Sequence, residues 1–557
     1  MLSTMRKRPA TSHPSHHGSS SGNGSSLTLE DVYGAKLKAA RLSRRSSESD
    51  TFAAGGTSIP VGPSDIGELF AWPKWMMERM IDPSVPGSAG RRHRLAENLG
   101  AGIVLHSDHS GLGTAEMAMH SIAEEAHSRG LVRQGTVHCH RACDIKPCCQ
   151  RILLNSGAQG AEHIHVDVLD AIRPELSNRL EAMRPEASWS RSKKLASYKA
   201  SYQVMLEAYN NRTLFKDDGG SYCLAHDKEC PVFHTPTDGS RPLRGVISGT
   251  SCTAWSASGK QEGSAHHTVL PWFAFVFYIL TFRPDFAIHE ITELHPDEIM
   301  EFHFSEFFDM VSLHLSPFQF GFPCRRPRRY RILTNKATVG MVAGKDDILG
   351  LLQCKVNIPT EDVLCAEPGM VKEAFDRLAR LRRKIPKSGE EMAWERLLTP
   401  AQLGRLTAHR RSVGGTSLEG KFFADIAKVE QVRRPSASTP TLVQNSLIWS
   451  EALGREAVVM EHFTMQGFPA LPAVSGYSSV PWEATLGCPP EGFSESELRS
   501  MTGNAMHLAV VGAVCLFALC SMERILDGPM RFRHMHSLLE LPDDDGAVDG
   551  DGDDDIE

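Results

Sequence analysis

The sequence predicts an α/β protein with a mostly parallel sheet covered by helices on both faces. Three observations predict it. From Leu99 onwards, short β-like apolar runs alternate with helical stretches. The loops directly after those runs carry glycines, carboxylates and a cysteine in a small-residue setting. The 557 residues, 41% apolar and 23% charged, suit an ordinary soluble globular protein of two or more domains.

Taken in order, Gly102–His106 is the first strand and Thr114–Ser128 a helix, with apolar positions at Ala115, Met119, Ile122 and Ala126. Val137–Ala142 and His163–Val166 are the next strands, and Gly245–Ser248 the fourth. A helix over Val269–Thr281 leads to a fifth strand, Phe286–His289. Residues 172–240 interrupt this rhythm, and residues 336–449 are longer, less regular and locally basic.

Residues 1–62 are rich in Ser, Gly, His and Arg and read as a disordered segment. Residues 541–557 hold eight Asp and one Glu with no Lys or Arg, and read as a solvated acidic tail. The formal net charge of −7 therefore misleads, because the body without that tail carries +2, which suits a polyanion partner. Thirteen scattered cysteines, with no apolar run after the basic start, point to reduced thiols inside the cell. Val269–Phe282 and Leu508–Cys520 are too short for the ~20 residues of a membrane span and read as buried helices. No membrane partner is expected.

In an open parallel sheet the ligand sits at the carboxyl ends of the strands. After the first strand come His109, Ser110, Gly111, Leu112 and Gly113, where glycines and a helix N-terminus allow close backbone approach; a plain tight turn reads equally well. Asp144, followed by Ile145, ends the second strand and could accept both hydroxyls of a ribose. Asp167, followed by Val168, follows the third and could accept from an adenine amino group. Either acid alone could be a helix cap. Cys252 lies in a loop of small residues after the fourth strand, a setting that suits a nucleophilic thiol as well as a buried structural one.

The run Ser248 to Lys260 resembles the catalytic loop of cytosine-C5 DNA methyltransferases, Gly-Gly-Pro-Pro-Cys-x-x-Phe-Ser-x-Ala-Gly, at Gly249, Cys252, Ser256 and Gly259, with Trp255 for the aromatic. The other blocks follow in the family's order. Ser110–Gly113 resembles the first cofactor loop, Ala142–Leu153 the ribose block with Asp for Glu, and Asp167-Val168 the adenine block. Arg283–Glu290 resembles the segment ending in Glu-Asn-Val, and Arg329–Leu333 the Gln-x-Arg-x-Arg strand. Gln466–Pro469 resembles the close of the target-recognition region, and Gly503-Asn504-Ala505-Met506 the last block, which completes the cofactor pocket.

The resemblance implies a Rossmann-like class I S-adenosylmethionine-dependent methyltransferase fold with an inserted target-recognition region. It implies a catalytic core over 95–335, target recognition over 336–449 and the rest of the core over 450–530. S-adenosyl-L-methionine would be the methyl donor, held by His109 to Gly113, Asp144, Ile145, Asp167, Val168, Asn504 and Ala505. Cys252 would attack the base, Glu290 would bind it, and Arg329 and Arg331 would orient it. Nucleic acid is the implied partner, DNA ahead of RNA, and the nucleus the implied compartment.

The departures are specific. Thr250 and Ser251 replace the two prolines, His109 replaces an aromatic, and Ile291 replaces Asn after the glutamate. Met501 stands where the last block often has Gln. Gln is missing before the arginines, and Cys324-Arg325-Arg326-Pro327-Arg328 is an alternative alignment of that block. These departures support a second reading, a catalytically weak cofactor-binding regulatory protein. The site set contains no metal. Cys223, His226, Cys230 and His234 could be zinc ligands, but their tight C-x2-H-x3-C-x3-H spacing is unlike the common fingers, and unrelated residues of one loop is the preferred reading. The His138-Cys139-His140-Cys143 cluster alternates along a strand, which argues against one shared metal. Arg377, Arg380, Arg382, Arg383, Lys384 and Lys387, with Arg405, Arg410, Arg411, Arg433 and Arg434, form a basic stretch suited to phosphates or to a solvated helix face.

Overall fold

The alternating apolar runs assemble into a nine-stranded sheet. In chain order its strands are β1 (Ile103–Asp108), β2 (Val137–Cys143), β3 (His163–His165), β4 (Gly220–Cys223), β5 (Lys228–Pro231), β6 (Leu243–Gly249), β7 (Phe286–Ile291), β8 (Phe308–Leu315) and β9 (Arg328–Asn335). They lie side by side as β5-β4-β3-β2-β1-β6-β7-β9-β8. The five central strands, β3, β2, β1, β6 and β7, are parallel. That order, third-second-first-fourth-fifth, is the doubly wound Rossmann order. The β4–β5 hairpin extends one edge antiparallel, and β9 and β8 extend the other. The chain therefore has the Rossmann-like α/β fold expected of it. This computed structural model describes residues 59–157, 160–217, 220–233, 241–256, 262–384, 392–428, 434–478 and 492–525; the expected N-terminal segment up to residue 58 and the acidic tail lie outside the described residues.

The sheet is apolar on both faces because helices cover both. On one face Ile103, Leu105, Ile247, Ile288, Tyr330 and Ile332 share a core with the helices Trp72–Ile81, Ser88–Gly100, Thr114–Ser128 and Leu508–Ser521. On the other, Val246, Ala287 and Leu333 meet the helices Arg191–Asn210, Val269–Phe282 and Asp297–Phe304. The two long apolar runs are thus core helices. The stretch Glu495–Ser521 is long and apolar enough to cross a membrane, but 89% of its most apolar window is buried inside the protein.

Leu508–Ser521 returns the chain to its beginning. Asn98 Nδ2 donates to Leu519 O (2.8 Å) and Met522 O (3.0 Å), tying the helix Ser88–Gly100 to it. After it, the last three described strand residues pair with a short strand far upstream, β10 (Val339–Met341). Between these returns lies a small sheet of β11 (Phe423–Asp425), β12 (Ile448–Ser450) and β13 (Arg455–Glu456) over its own core of Leu398, Leu406, Phe422, Ile426 and Trp449.

Gly512 faces Trp72 so closely that a Cβ there would lie 2.1 Å from the indole ring. Gly512→Ala is expected to lower stability by roughly 1–3 kcal/mol, the usual cost of overpacking. Gly350, in the helix Lys345–Leu352, has nothing within 4 Å of a built Cβ. Gly350→Ala is expected to leave stability unchanged or raise it by up to about 1 kcal/mol. Urea midpoints of both variants check the pair.

Candidate active site at the strand ends

The parallel register sets the carboxyl ends of β1, β2, β6 and β7 in one row: Asp108 pairs with Cys143 and with Ser248, and Ser248 with His289. Beyond Asp108 the chain turns through His109 (φ 55°), Gly111 (φ 58°) and Gly113 (φ 73°) into the helix Thr114–Ser128. A Cβ at Gly111 would meet nothing within 4 Å, so open space lies over the loop. Ser110 pins the turn to β2: its N–H donates to Cys143 O (3.0 Å), and its Oγ accepts from Cys143 N–H (2.9 Å). Leu112 is buried beneath as its anchor.

Asp144 joins this loop to the next helix. Its Oδ2 accepts from Gly111 N–H (2.9 Å) and its Oδ1 from Lys146 N–H (2.8 Å). A carboxylate offers about four lone-pair sites, so two remain for a pair of hydroxyls. Ile145 beside it is 65% exposed, an apolar side chain at the lip where a flat ring could lie. Asp167 Oδ1 caps Leu169 N–H (3.0 Å), leaving its other oxygen for an amino donor. Val168 packs from the edge of the second core. Asp144 and Asp167 are thus both turn-forming acids and half-buried acids with spare acceptor capacity.

After β6 the chain enters the loop Thr250–Ser256. Cys252 is half-buried, and its carbonyl accepts from Trp255 N–H (3.0 Å) and Ser256 N–H (2.8 Å). The loop is held from below by a side-chain relay. Thr250 Oγ1 lies 2.7 Å from His289 Nε2, Arg331 Nη1 lies 3.4 Å from His289 Nδ1, and Arg331 Nε donates to Asp297 Oδ1 (2.7 Å). Burial, then the Arg331 charge, keep His289 well below the usual histidine range, so its ring is neutral. Arginine can only donate, so Nδ1 accepts and Nε2–H donates to Thr250. A hydrogen bond thus restrains the loop where proline would have done so by covalent geometry.

Glu290, buried at the end of β7, pairs across the sheet with Tyr330. Directly paired residues share a face, and so do residues two apart in a strand. Arg328 therefore joins Glu290, at 3.1 Å. Arg326, just before β9, lies within the field of Glu290 and Cys252; burial, then Arg328, push its pKa down to about 10. Arg329 and Arg331 face the opposite way and both bind Asp297 (2.9 and 2.7 Å). The expectation that Arg329 and Arg331 accompany Glu290 is thus corrected to Arg326 and Arg328, the alternative alignment. Strand parity decides it, and parity was invisible without the β7–β9 register. Arg331 reaches the cysteine loop only indirectly, through His289.

The segment Gly503–Met506 comes back beside the ends of β6 and β9. Ala505 O accepts from Arg326 Nη2 (2.6 Å), and Met506 sits 3.2 Å from where a Gly249 Cβ would be. Asn504 is exposed, its Nδ2 donating to Ser500 O (2.6 Å) and its Oδ1 accepting from Gln444 (3.0 Å). Gly503 packs so tightly on Val443 and Gln444 that a Cβ would lie 2.3 Å from backbone. Gln466 Nε2 donates to Thr502 O (2.8 Å), so Gln466–Pro469 braces this return. A small hollow of about 20 Å3 lies under the cysteine loop between His109, Thr250, Trp255, Trp272, Ile291 and His295. Ile291 fills the place where an amide was expected and is buried.

Elsewhere the basic stretch divides. Arg405 and Arg410 are structural: Arg405 donates to Ile426 O (3.0 Å), and Arg410 binds Glu395 and Glu451. Arg380, Arg382, Arg383 and Lys384 are exposed, while Lys387 and Arg433 lie outside the described residues. His138 and His140 share a face with Glu162, and Cys139 points the other way to His120.

No protein-family model matches the chain, and no curated protein sequence matches it. Solved structures similar to it include a DNA modification methyltransferase encoded within an E. coli prophage (13% identity, 75% of this chain and 98% of that one, TM-score 0.37). The S. pombe Dnmt2 methyltransferase is similar at 12% identity, 75% and 98% coverage and TM-score 0.39. The Entamoeba histolytica methyltransferase EhMeth is similar at 8%, with 75% and 98% coverage and TM-score 0.33. At these scores the likeness carries no argument about this chain's chemistry.

Five buried histidines give the site region a pH signature. Burial holds His289 and His295 well below the usual range and lowers His165, His303 and His507 to about 3. In the unfolded chain they titrate near 6.5. The stability that comes from neutral rings is fully present above that pH and is lost as pH falls below it. Glu116, raised by burial to about 6, opposes this, its contribution being lost as pH rises through that value. The expected net result is a lower urea midpoint at pH 5.5 than at pH 7.5, with His303→Leu flattening the slope. A midpoint that rises on acidification would contradict it.

Proposed function

We propose that the chain is an S-adenosylmethionine-dependent methyltransferase acting on C5 of cytosine in nucleic acid, DNA ahead of RNA. The observation that carries this is that Glu290, paired with Arg328, and Cys252 both lie within the field of Arg326 at the strand ends, beside a glycine turn held by Asp144. The donor fits the residues present. Gly111 leaves room over the loop, Asp144 has acceptor sites to spare for a ribose, Ile145 offers an exposed apolar surface, and Asp167 has an unused oxygen. When bound, the donor supplies an electrophilic methyl group.

The chain's own residues would do the rest. The Cys252 thiolate adds to C6, forming an S–C bond and placing electron density on C5. Glu290, in its protonated form, donates a hydrogen bond to N3 and balances the charge that develops on the ring. Arg328 holds the Glu290 carboxyl in place, and Arg326 fastens the returning Ala505-Met506 segment beside them through Ala505 O. Once C5 has gained the methyl group it gives up its proton to a water or hydroxide from solvent, and the C5–C6 double bond re-forms as the S–C bond breaks to release the Cys252 thiolate. A duplex substrate would have to flip the base out, at a cost of a few kcal/mol. The exposed Arg380, Arg382, Arg383 and Lys384 are suited to phosphate contacts during this step. The relay from Asp297 to Thr250 restrains the cysteine loop, which favours a working enzyme over a regulatory protein that only binds the cofactor.

Calorimetry is expected to show S-adenosylmethionine binding, weakened by about 1–3 kcal/mol in Asp144→Ala through the loss of charge-assisted hydrogen bonds. Radioactive methyl transfer into DNA, with tRNA as the alternative acceptor, identifies the substrate. Wild-type affinity no better than that for unrelated adenosine compounds would remove the cofactor site, and binding without transfer to either acceptor would leave the regulatory reading.

A further inference from the structure

We propose that His163, Cys223, His226 and Cys230 hold one structural Zn2+ ion that pins the β4–β5 hairpin to the edge of the parallel sheet. The ligands come from two places. His163 begins β3, while Cys223, His226 and Cys230 lie on the hairpin and its turn. One donor atom from each falls within 4.8 Å of all the others.

The distances suit a metal better than hydrogen bonds. His226 Nδ1 lies 3.2 Å from His163 Nδ1, 3.5 Å from Cys223 Sγ and 3.5 Å from Cys230 Sγ. A ring nitrogen has one lone pair or one hydrogen, so it cannot satisfy three such neighbours by hydrogen bonding. Zinc bonds of about 2.0–2.1 Å to nitrogen and about 2.3 Å to sulfur, arranged tetrahedrally, give separations of about 3.4 Å (N to N) and 3.6 Å (S to N). The observed set matches, with Cys223 Sγ to His163 Nδ1 slightly wide at 3.9 Å. Two thiolates and two imidazoles form a closed Cys2His2 set, which marks a structural rather than a catalytic zinc.

The surroundings supply outer contacts of the usual kind. Ile164 N–H donates to Cys223 Sγ (3.3 Å), as backbone amides do to metal-bound thiolates. Glu162 Oε1 lies 3.7 Å from His163 Nε2, on the side of the ring away from the cluster. The hairpin also needs a staple. Its strands are four residues each, it joins β3 through the single pair His165–Cys223, and Tyr222 points into solvent. A short two-stranded hairpin is marginal in water without such support. The sequence spacing of the hairpin residues alone suggested His234 as the fourth ligand; His234 lies outside the described residues, and His163, sixty residues before Cys223, completes the set.

The test uses the full-length chain, expressed with zinc in the medium, freed of loose metal by gel filtration and assayed by elemental mass spectrometry. One zinc per chain is expected in the wild type, with loss in His163→Ala and in Cys230→Ser and retention in His138→Ala and Cys148→Ser. Replacement by Co2+ is expected to give the visible bands of a tetrahedral site with thiolate charge transfer. That readout needs only the wild-type fold and decides the matter if the variants do not fold. Zinc-free wild type with no cobalt spectrum, or a Cys223–Cys230 disulfide, would overturn the proposal. So would zinc retained by His163→Ala but lost by His234→Ala.

Discussion

The parallel register of β1, β2, β6 and β7 is the constraint on which the rest of the structure depends. Because Asp108, Cys143, Ser248 and His289 lie level, the segments that follow them leave the sheet at one edge and within reach of one another. The register is set by two-sided burial: each central strand must present apolar residues both to the helix layer around Leu508–Ser521 and to that around Val269–Phe282. A slip of one residue would exchange the two faces of a strand, turning Glu290 away from Arg328 and His289 away from Thr250.

That same alternation divides the labour of neighbouring residues. Odd-numbered His289, Arg329 and Arg331 belong to the Asp297 side and steady the cysteine loop from beneath. Even-numbered Glu290, Arg326 and Arg328 belong to the side reached by Ala505 and Met506. The cysteine loop is thus held from one face of the sheet, and Glu290 is held by Arg328 on the other. The C-terminal return is part of the site as well as of the core, since Arg326 donates both to Ala505 O and to Leu442 O (2.9 Å).

Most of the parallel sheet was legible because its strands are short apolar runs bounded by turn residues. The helix Thr114–Ser128 was read to the residue, and the five parallel strands to within one or two. The antiparallel additions were not legible from pattern, and only β9 was marked at all, by the resemblance. β8 (FDMVSLHL) and β9 (RRYRILTN) mix polar and apolar residues at a sheet edge, and the β4–β5 hairpin is too short and polar to show periodicity. In the candidate site, the glycine turn, Asp144, Asp167 and Cys252 could be singled out from the sequence because each follows a strand, and Glu290 because it lies near the end of one. The choice between Arg326 with Arg328 and Arg329 with Arg331 was not, because it depends on which residue of β9 faces Glu290. His163 was likewise hidden by its distance in sequence from Cys223.

The central claim is that Cys252 is a nucleophile towards the cytosine ring. The direct measurement is covalent trapping on an oligonucleotide containing 5-fluorocytosine, where fluorine at C5 cannot leave as a proton does. The account predicts an adduct that requires S-adenosylmethionine, survives denaturation, disappears in Cys252→Ser and persists in Cys324→Ser. An adduct that persists in Cys252→Ser, or none from a chain shown to bind the cofactor and the oligonucleotide, would contradict it.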